Sequence, residues 1–115
     1  TRFTWEGHSG IGYEIHMGHT ERQGGAPLFE VCEQNGIACR QDDGCVAIDA
    51  NVMGTYIHGL FDNPAISKRW LQHIGLGHIA IPEKYGYVAK EQDYDLLAQH
   101  FADHIDMERL ISTLV

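Results

Sequence analysis

Val52-Met53-Gly54-Thr55-Tyr56-Ile57-His58-Gly59-Leu60-Phe61-Asp62 is the stretch around which the rest of the chain is arranged. Its first seven residues form an apolar, β-branched and aromatic run, and residues 52–58 read as a short buried strand. Alternation along a strand sends Gly54, Tyr56 and His58 to one face and Met53, Thr55 and Ile57 to the other. His58 then stands at the carboxyl end of the strand, beside a glycine that lets another backbone or a ligand approach. An imidazole so placed suits proton transfer. The plainer alternative is a structural histidine with satisfied hydrogen bonds, the commoner case for a lone His.

Working outward, residues 12–17 read as a second strand, with Tyr13, Ile15 and Met17 on one face and Glu14 and His16 on the other. A carboxylate and an imidazole two residues apart on a strand share a side, close enough to meet a common substrate or each other. The competing reading is the solvated face of an edge strand. His16 and His19 have a metal-ligand spacing only in a helix, and Gly18 and the β pattern argue against one here. With neither a nearby cysteine nor a third histidine in register, no metal site is expected.

The remaining elements follow from punctuation. Residues 1–5 are strand formers and residues 6–10 read as a turn. Residues 20–27 make a polar, Gly-rich loop, a connector or a flap, with Gln23-Gly24-Gly25 its most mobile part. Residues 28–33 and 37–40 are two strands joined through Gln34-Asn35-Gly36, and Asn-Gly between apolar runs signals a hairpin. Asp42-Asp43-Gly44 reads as a second turn, with residues 45–49 as a further strand. Turns this short cannot make parallel crossovers, so at least part of the sheet is antiparallel.

Asp62-Asn63-Pro64 supplies a cap and a first-turn proline for a helix over residues 64–74, ending at Gly75. Its apolar stripe is Ile66, Trp70, Leu71 and Ile74, and its N-terminus points back toward the His58 strand. Pro82 and Gly86 keep residues 76–90 irregular. A second helix spans residues 92–105, with Asp93 as its cap and Tyr94, Leu97, Phe101 and Ile105 as a core stripe. Asp106 caps a short last helix over residues 107–114, with Leu110, Ile111 and Leu114 inward. The fold class is therefore α/β: short, mostly antiparallel or mixed strands in the first half, followed by C-terminal helices.

At 115 residues the chain makes at most one small domain, burying roughly two-thirds of its unfolded surface. Residues 1–115 show no repeat, low-complexity run or domain linker. The first residue is Thr1 and the first methionine Met17, so a longer parent chain is expected. Sixteen acidic residues against eight basic ones give a net charge of −8, which disfavours a nucleic-acid surface. No apolar run approaches the roughly 20 residues of a membrane span. Three cysteines without paired spacing argue against a disulfide framework and fit a reducing cytoplasm.

Two stretches carry a resemblance. Gly54-Thr55-Tyr56-Ile57-His58-Gly59-Leu60-Phe61-Asp62 resembles the histidine motif of the cobyric acid synthase amidotransferase family, and Gly12-Tyr13-Glu14-Ile15-His16-Met17-Gly18-His19-Thr20 resembles its other hallmark. The likeness runs from the first motif to the C-terminus. It implies the C-terminal portion of a class I, triad-type glutamine amidotransferase domain, with His58 as catalytic base and Glu14, His16 and Tyr56 lining the glutamine pocket. It further implies that ammonia released from glutamine serves amidation of corrinoid carboxylates in cobalamin biosynthesis. ATP and magnesium would belong to a separate synthetase domain, with no cofactor held by this segment.

Two departures qualify the likeness. The nucleophile of this enzyme class is a cysteine in a Gly-x-Cys-x-Gly turn, and none of Cys32, Cys39 or Cys45 has that setting. All three read as small core or surface residues, so the nucleophile and oxyanion hole are expected upstream of Thr1 and this segment alone is expected to be inactive. Triad-type enzymes also place a glutamate two residues after the histidine. Leu60 stands there, as an aliphatic residue does in the cobyric acid synthase branch, leaving Glu14 or a backbone carbonyl to orient the His58 ring. The alternatives are a non-catalytic amidotransferase-like binding module, or an amidotransferase for another polycarboxylate. Apolar edges lead to an expectation of self-association.

Overall fold

A computed structural model of the chain describes residues 1–49 and 51–115. It divides into two compact units, Thr1–Ile81 and Pro82–Val115.

The first unit is built on a four-stranded sheet of order β2-β1-β4-β5. Strands β1 (Arg2–Trp5) and β2 (His8–Ile11) form a hairpin whose register places Phe3 opposite Gly10 and Trp5 opposite His8. Its turn is only Glu6-Gly7, at φ 47° and 83°. Positive φ at both central positions matches the strand twist, so the turn expected over residues 6–10 contracts and most of it becomes β2. β4 (Phe29–Gln34) and β5 (Ile37–Asp43) form the second hairpin through Asn35-Gly36, at φ 52° and 77°, the geometry that Asn-Gly favours. β5 runs past the expected end at residue 40 because Gln41, Asp42 and Asp43 keep pairing with Val31, Glu30 and Phe29. Gly44, at φ 71°, ends it.

Two smaller ladders complete this unit. β6 (Cys45–Val46) pairs with β7 (Met53–Gly54), and β3 (Tyr13–Glu14) pairs with β8 (Ile57–His58). Every pairing among the described strands is antiparallel. The single buried strand expected over residues 52–58 is thus two short ones, because its halves pair with different partners. It is only half-buried. The two-residue alternation nevertheless holds: Met53, Thr55 and Ile57 are the more sheltered side chains, while Gly54, Tyr56 and His58 are exposed. The strand expected over residues 45–49 stops at Val46, and Ile48 is 97% exposed. The one expected over residues 12–17 stops at Glu14 when its partner β8 ends, and Tyr13, Ile15 and Met17, read as one face of it, are exposed.

The core gathers Phe3, Trp5, Leu28, Phe29, Val31, Ile57 and Ile66. Phe3 and Phe29 lie 4.7 Å apart between ring centres, and Trp5 meets Phe29 edge-on at 5.9 Å. Helix α1 (Pro64–His73) covers this face, with Pro64 in the first turn and Gly75 beyond its end at φ 80°. Its fully buried residue is Ile66, whereas Ile74, expected in the stripe, is exposed because it caps the last turn. A 3₁₀ turn, Leu60–Asp62, links β8 to α1. Arg69 of α1 lies over the Trp5 ring at 5.5 Å and ion-pairs with Glu6 of the hairpin turn.

In the second unit, α2 (Gly86–His104) starts six residues before the expected residue 92. Gly86 opens α2 at φ 66°, a left-handed conformation that glycine adopts freely, so it begins the helix and does not block it. Asp93 therefore lies inside α2 and caps nothing. α3 (Met107–Ser112) is capped as expected: the Asp106 carboxylate accepts from the Arg109 N–H at 3.0 Å. The stripe Tyr94, Leu97, Phe101 and Ile105 is exposed, as are Leu110, Ile111 and Leu114. Within this unit α2 and α3 bury no residue, so they do not by themselves form the core expected on those stripes. Among the described residues no helix is long and apolar enough to cross a membrane.

Candidate active site

The pairing of β3 with β8 lays the two sequence motifs side by side. Tyr13 stands opposite His58 and Glu14 opposite Ile57. The approach is close: a Cβ added at Gly12 would lie 2.4 Å from Ile57 Cγ2 and 2.5 Å from the His58 carbonyl oxygen. The Tyr13 and His58 rings stack nearly parallel, 5.2 Å between centres and 10° apart.

Glu14 and His16 share a side, as alternation requires. Glu14 Oε2 lies 3.7 Å from His16 Nε2 and accepts from Gln34 Nε2 at 3.3 Å. The His16 ring stacks on Tyr56 at 4.2 Å, and the Tyr56 hydroxyl is 2.8 Å from Thr20 Oγ1. These contacts bring Glu14, His16 and Tyr56 into one cleft of about 1010 Å³. Its wall includes Asp43 and Thr55. The buried Asp43 carboxylate accepts from the Thr55 hydroxyl, whose oxygen in turn accepts from the Ile57 N–H at 3.0 Å. At the rim, Arg22 reaches Asp42 and the Gly44 carbonyl, each at 3.5 Å, and the Cys45 thiol donates to the Gly24 carbonyl at 3.2 Å. These bonds tie the Gly-rich loop to the start of β6.

His58 is not part of that cleft wall. It stands two residues from Tyr56, exposed, with its ring against Tyr13. Neither orienting group expected for it is in place. Glu14 is engaged by His16 and Gln34, and among the described residues no carbonyl bonds to the ring. Stacking on Tyr13 sets the plane of the imidazole. After His58 the chain turns through Gly59, at φ 76°, which no β-branched residue would tolerate.

Asn63 takes a different part from the expected one. It sits at the cap position of α1, but its side chain makes no capping bond. Instead Oδ1 accepts from the Ile11 N–H, and Nδ2 donates to the carbonyls of Ile11, Gly59 and Leu60, at 2.8–3.1 Å. It clamps the end of β2 to the corner that follows His58.

The three cysteines are free and half-buried. Cys32 and Cys39 donate to the carbonyls of Arg2 and Val31, and none of the three lies on a strand-to-helix turn. Cys45, read from sequence as a core or surface residue, lines the cleft. Asp43, Thr55 and Arg22 are cleft residues that the sequence reading passed over. For Thr55 a signal existed: alternation puts its hydroxyl on the inner face with Met53 and Ile57, where it needs a partner.

Both motifs lie within the residues that a known family model matches. The CobB/CobQ-like glutamine amidotransferase domain model matches residues 3–66. The chain is 40% identical over 102 residues to a cobyric acid synthase of Chlorobaculum tepidum, covering 88% of this chain and 20% of that protein. It is 37% identical over 105 residues to that of Syntrophobacter fumaroxidans (86% and 20%) and 39% over 105 to that of Limosilactobacillus reuteri (85% and 21%). It spans about a fifth of the length of these curated relatives. No solved structure matches it significantly.

Proposed function

Because the chain belongs to the CobB/CobQ-like glutamine amidotransferase domain family, we propose that it is the C-terminal part of the class I, triad-type amidotransferase domain of a cobyric acid synthase. The observation that supports this reading is the β3–β8 register, which sets Tyr13 opposite His58 and so lays the two hallmark motifs side by side. Glu14, His16 and Tyr56 hold glutamine, the first two through a carboxylate and an imidazole that present both acceptor and donor atoms to a polar side chain. His58 is the base.

The chemistry needs a thiol from elsewhere in the domain, since none of the three cysteines here has the required setting. His58 takes the thiol proton as sulfur attacks the side-chain amide carbon of glutamine. The tetrahedral intermediate then expels ammonia, to which His58 returns the proton, and water hydrolyses the remaining thioester to glutamate. A separate synthetase domain, using ATP and magnesium, spends the ammonia on corrinoid side-chain carboxylates. No residue of this segment is assigned to ATP, magnesium or the corrinoid.

The test is made in the full-length enzyme. His58→Ala should lower glutamine-dependent amidation by about 10²- to 10⁴-fold, the usual worth of a positioned acid–base group, and leave amidation with added free ammonia unchanged. Cys45→Ser should leave both rates unchanged, and the 115-residue segment alone should release no ammonia from glutamine. Equal loss of both rates in His58→Ala, with a lower melting temperature, would mark His58 as a structural residue only.

A further inference from the structure

We propose that Asp43 and Thr55 are positioning residues for the histidine motif, holding His58 and Tyr56 in working geometry through the backbone of Ile57. The inference rests on the reading of His58 as the base.

Three observations lead here. Asp43 is 9% exposed, one of two buried polar residues among the described residues. A buried carboxylate is costly without a partner, and the partner it has is the Thr55 hydroxyl. Thr55 Oγ1 also accepts from the Ile57 N–H at 3.0 Å. A continuous path therefore runs from the last residue of β5, in the four-stranded sheet, to the first residue of β8.

The path crosses the break between the two ladders of the motif. Met53-Gly54 pairs with Val46-Cys45, and Ile57-His58 pairs with Glu14-Tyr13, but Thr55 and Tyr56 lie between the two ladders and belong to neither. Backbone bonds alone leave the second half free to swing relative to the first. The Thr55 hydroxyl supplies the missing restraint, bonding to the sheet on one side and to the Ile57 amide on the other. Its neighbours make the consequence specific. Tyr56 must face His16, 4.2 Å away, and His58 must meet Tyr13, 5.2 Å away. A shift at Ile57 moves both rings at once.

Displacement of a reacting group by about 1 Å costs on the order of 10²-fold in rate. A bond serving stability alone would change melting temperature and every activity together. A positioning bond should change the glutamine half-reaction selectively.

The experiment uses the full-length enzyme and three variants. Thr55→Val keeps the shape and deletes the hydroxyl, Thr55→Ser keeps the hydroxyl, and Asp43→Asn keeps the shape while weakening the acceptor. Thr55→Val should lose about 10- to 100-fold in glutamine-dependent kcat, with the ammonia-dependent rate unchanged, and Thr55→Ser should restore most of the loss. Wild-type glutamine turnover in Thr55→Val, or equal loss of both rates, overturns the proposal. If Thr55→Val does not fold, Asp43→Asn decides by the same two criteria. His58→Ala is assayed alongside. If it keeps glutamine turnover, the assignment of the base has failed and this proposal falls with it. If it loses turnover while the Thr55 and Asp43 variants do not, only the positioning role is wrong.

Discussion

Gly12 shows how closely the two motif strands are fitted. Its backbone is not at positive φ, so conformational freedom is not what it supplies. What it supplies is space, since a methyl group there would run into the His58 carbonyl and the Ile57 side chain. The carbonyl belongs to the backbone and cannot rotate away. Gly12→Ala should therefore cost about 1–3 kcal/mol, the usual effect of overpacking, and push β3 off β8. In the full-length enzyme it should lower the melting temperature and the glutamine-dependent rate, while Gly24→Ala, with open space around it, should do neither. Unchanged melting in Gly12→Ala would show that the strands do not approach as described. At this scale, what was legible in the sequence depended on short repeats. The shared side of Glu14 and His16 and the inward set Met53, Thr55 and Ile57 both follow from a two-residue period. The stacking of His16 on Tyr56 and the bond from Thr55 to Asp43 span 40 and 12 positions along the chain, and no local pattern encodes them.

Among the elements, α1 was the most legible and β6 to β8 the least. Proline at the start and glycine past the end are local signals that act through fixed φ, and α1 obeys them. The extent of a short strand is set by its partner instead. β7 and β8 last only as long as β6 and β3 run beside them, and that information lies elsewhere in the chain. The energetic weight follows the packing. Ile66 is the fully buried residue through which α1 holds the sheet, facing Phe3 and the space left by Gly10. Ile66→Ala should destabilise the protein by about 2–5 kcal/mol through lost burial and the cavity left behind. Lys68→Ala, exposed on the same helix, should stay within about 0.5 kcal/mol. Urea unfolding of the two variants reads the difference, and similar midpoints would mean that α1 is not docked through Ile66.

At the scale of the whole molecule, hydrophobic periodicity identified the helices of the second unit but misjudged what they face. A stripe on one side of a helix says that the side wants cover; it does not say that the neighbouring helix of its own unit provides it. Tyr94, Leu97 and Phe101 are 63%, 54% and 50% exposed, and Leu110, Ile111 and Leu114 are exposed as well. Large apolar residues left in water in this number favour association. Opposing it is the net charge of −8, which makes copies repel one another at low ionic strength. Salt screens that repulsion over about 10 Å at 0.1 M while leaving apolar contact intact. The purified 115-residue chain should therefore self-associate, and more strongly as salt rises. The double variant Leu97→Glu/Phe101→Glu should shift the equilibrium toward monomer at every salt concentration, because burying either carboxylate in a contact is costly. Sedimentation velocity from low to high salt, with the variant run in parallel, measures both effects. A monomer that persists at high salt in the unaltered chain, or association that the double variant leaves untouched, would show that these side chains do not drive it.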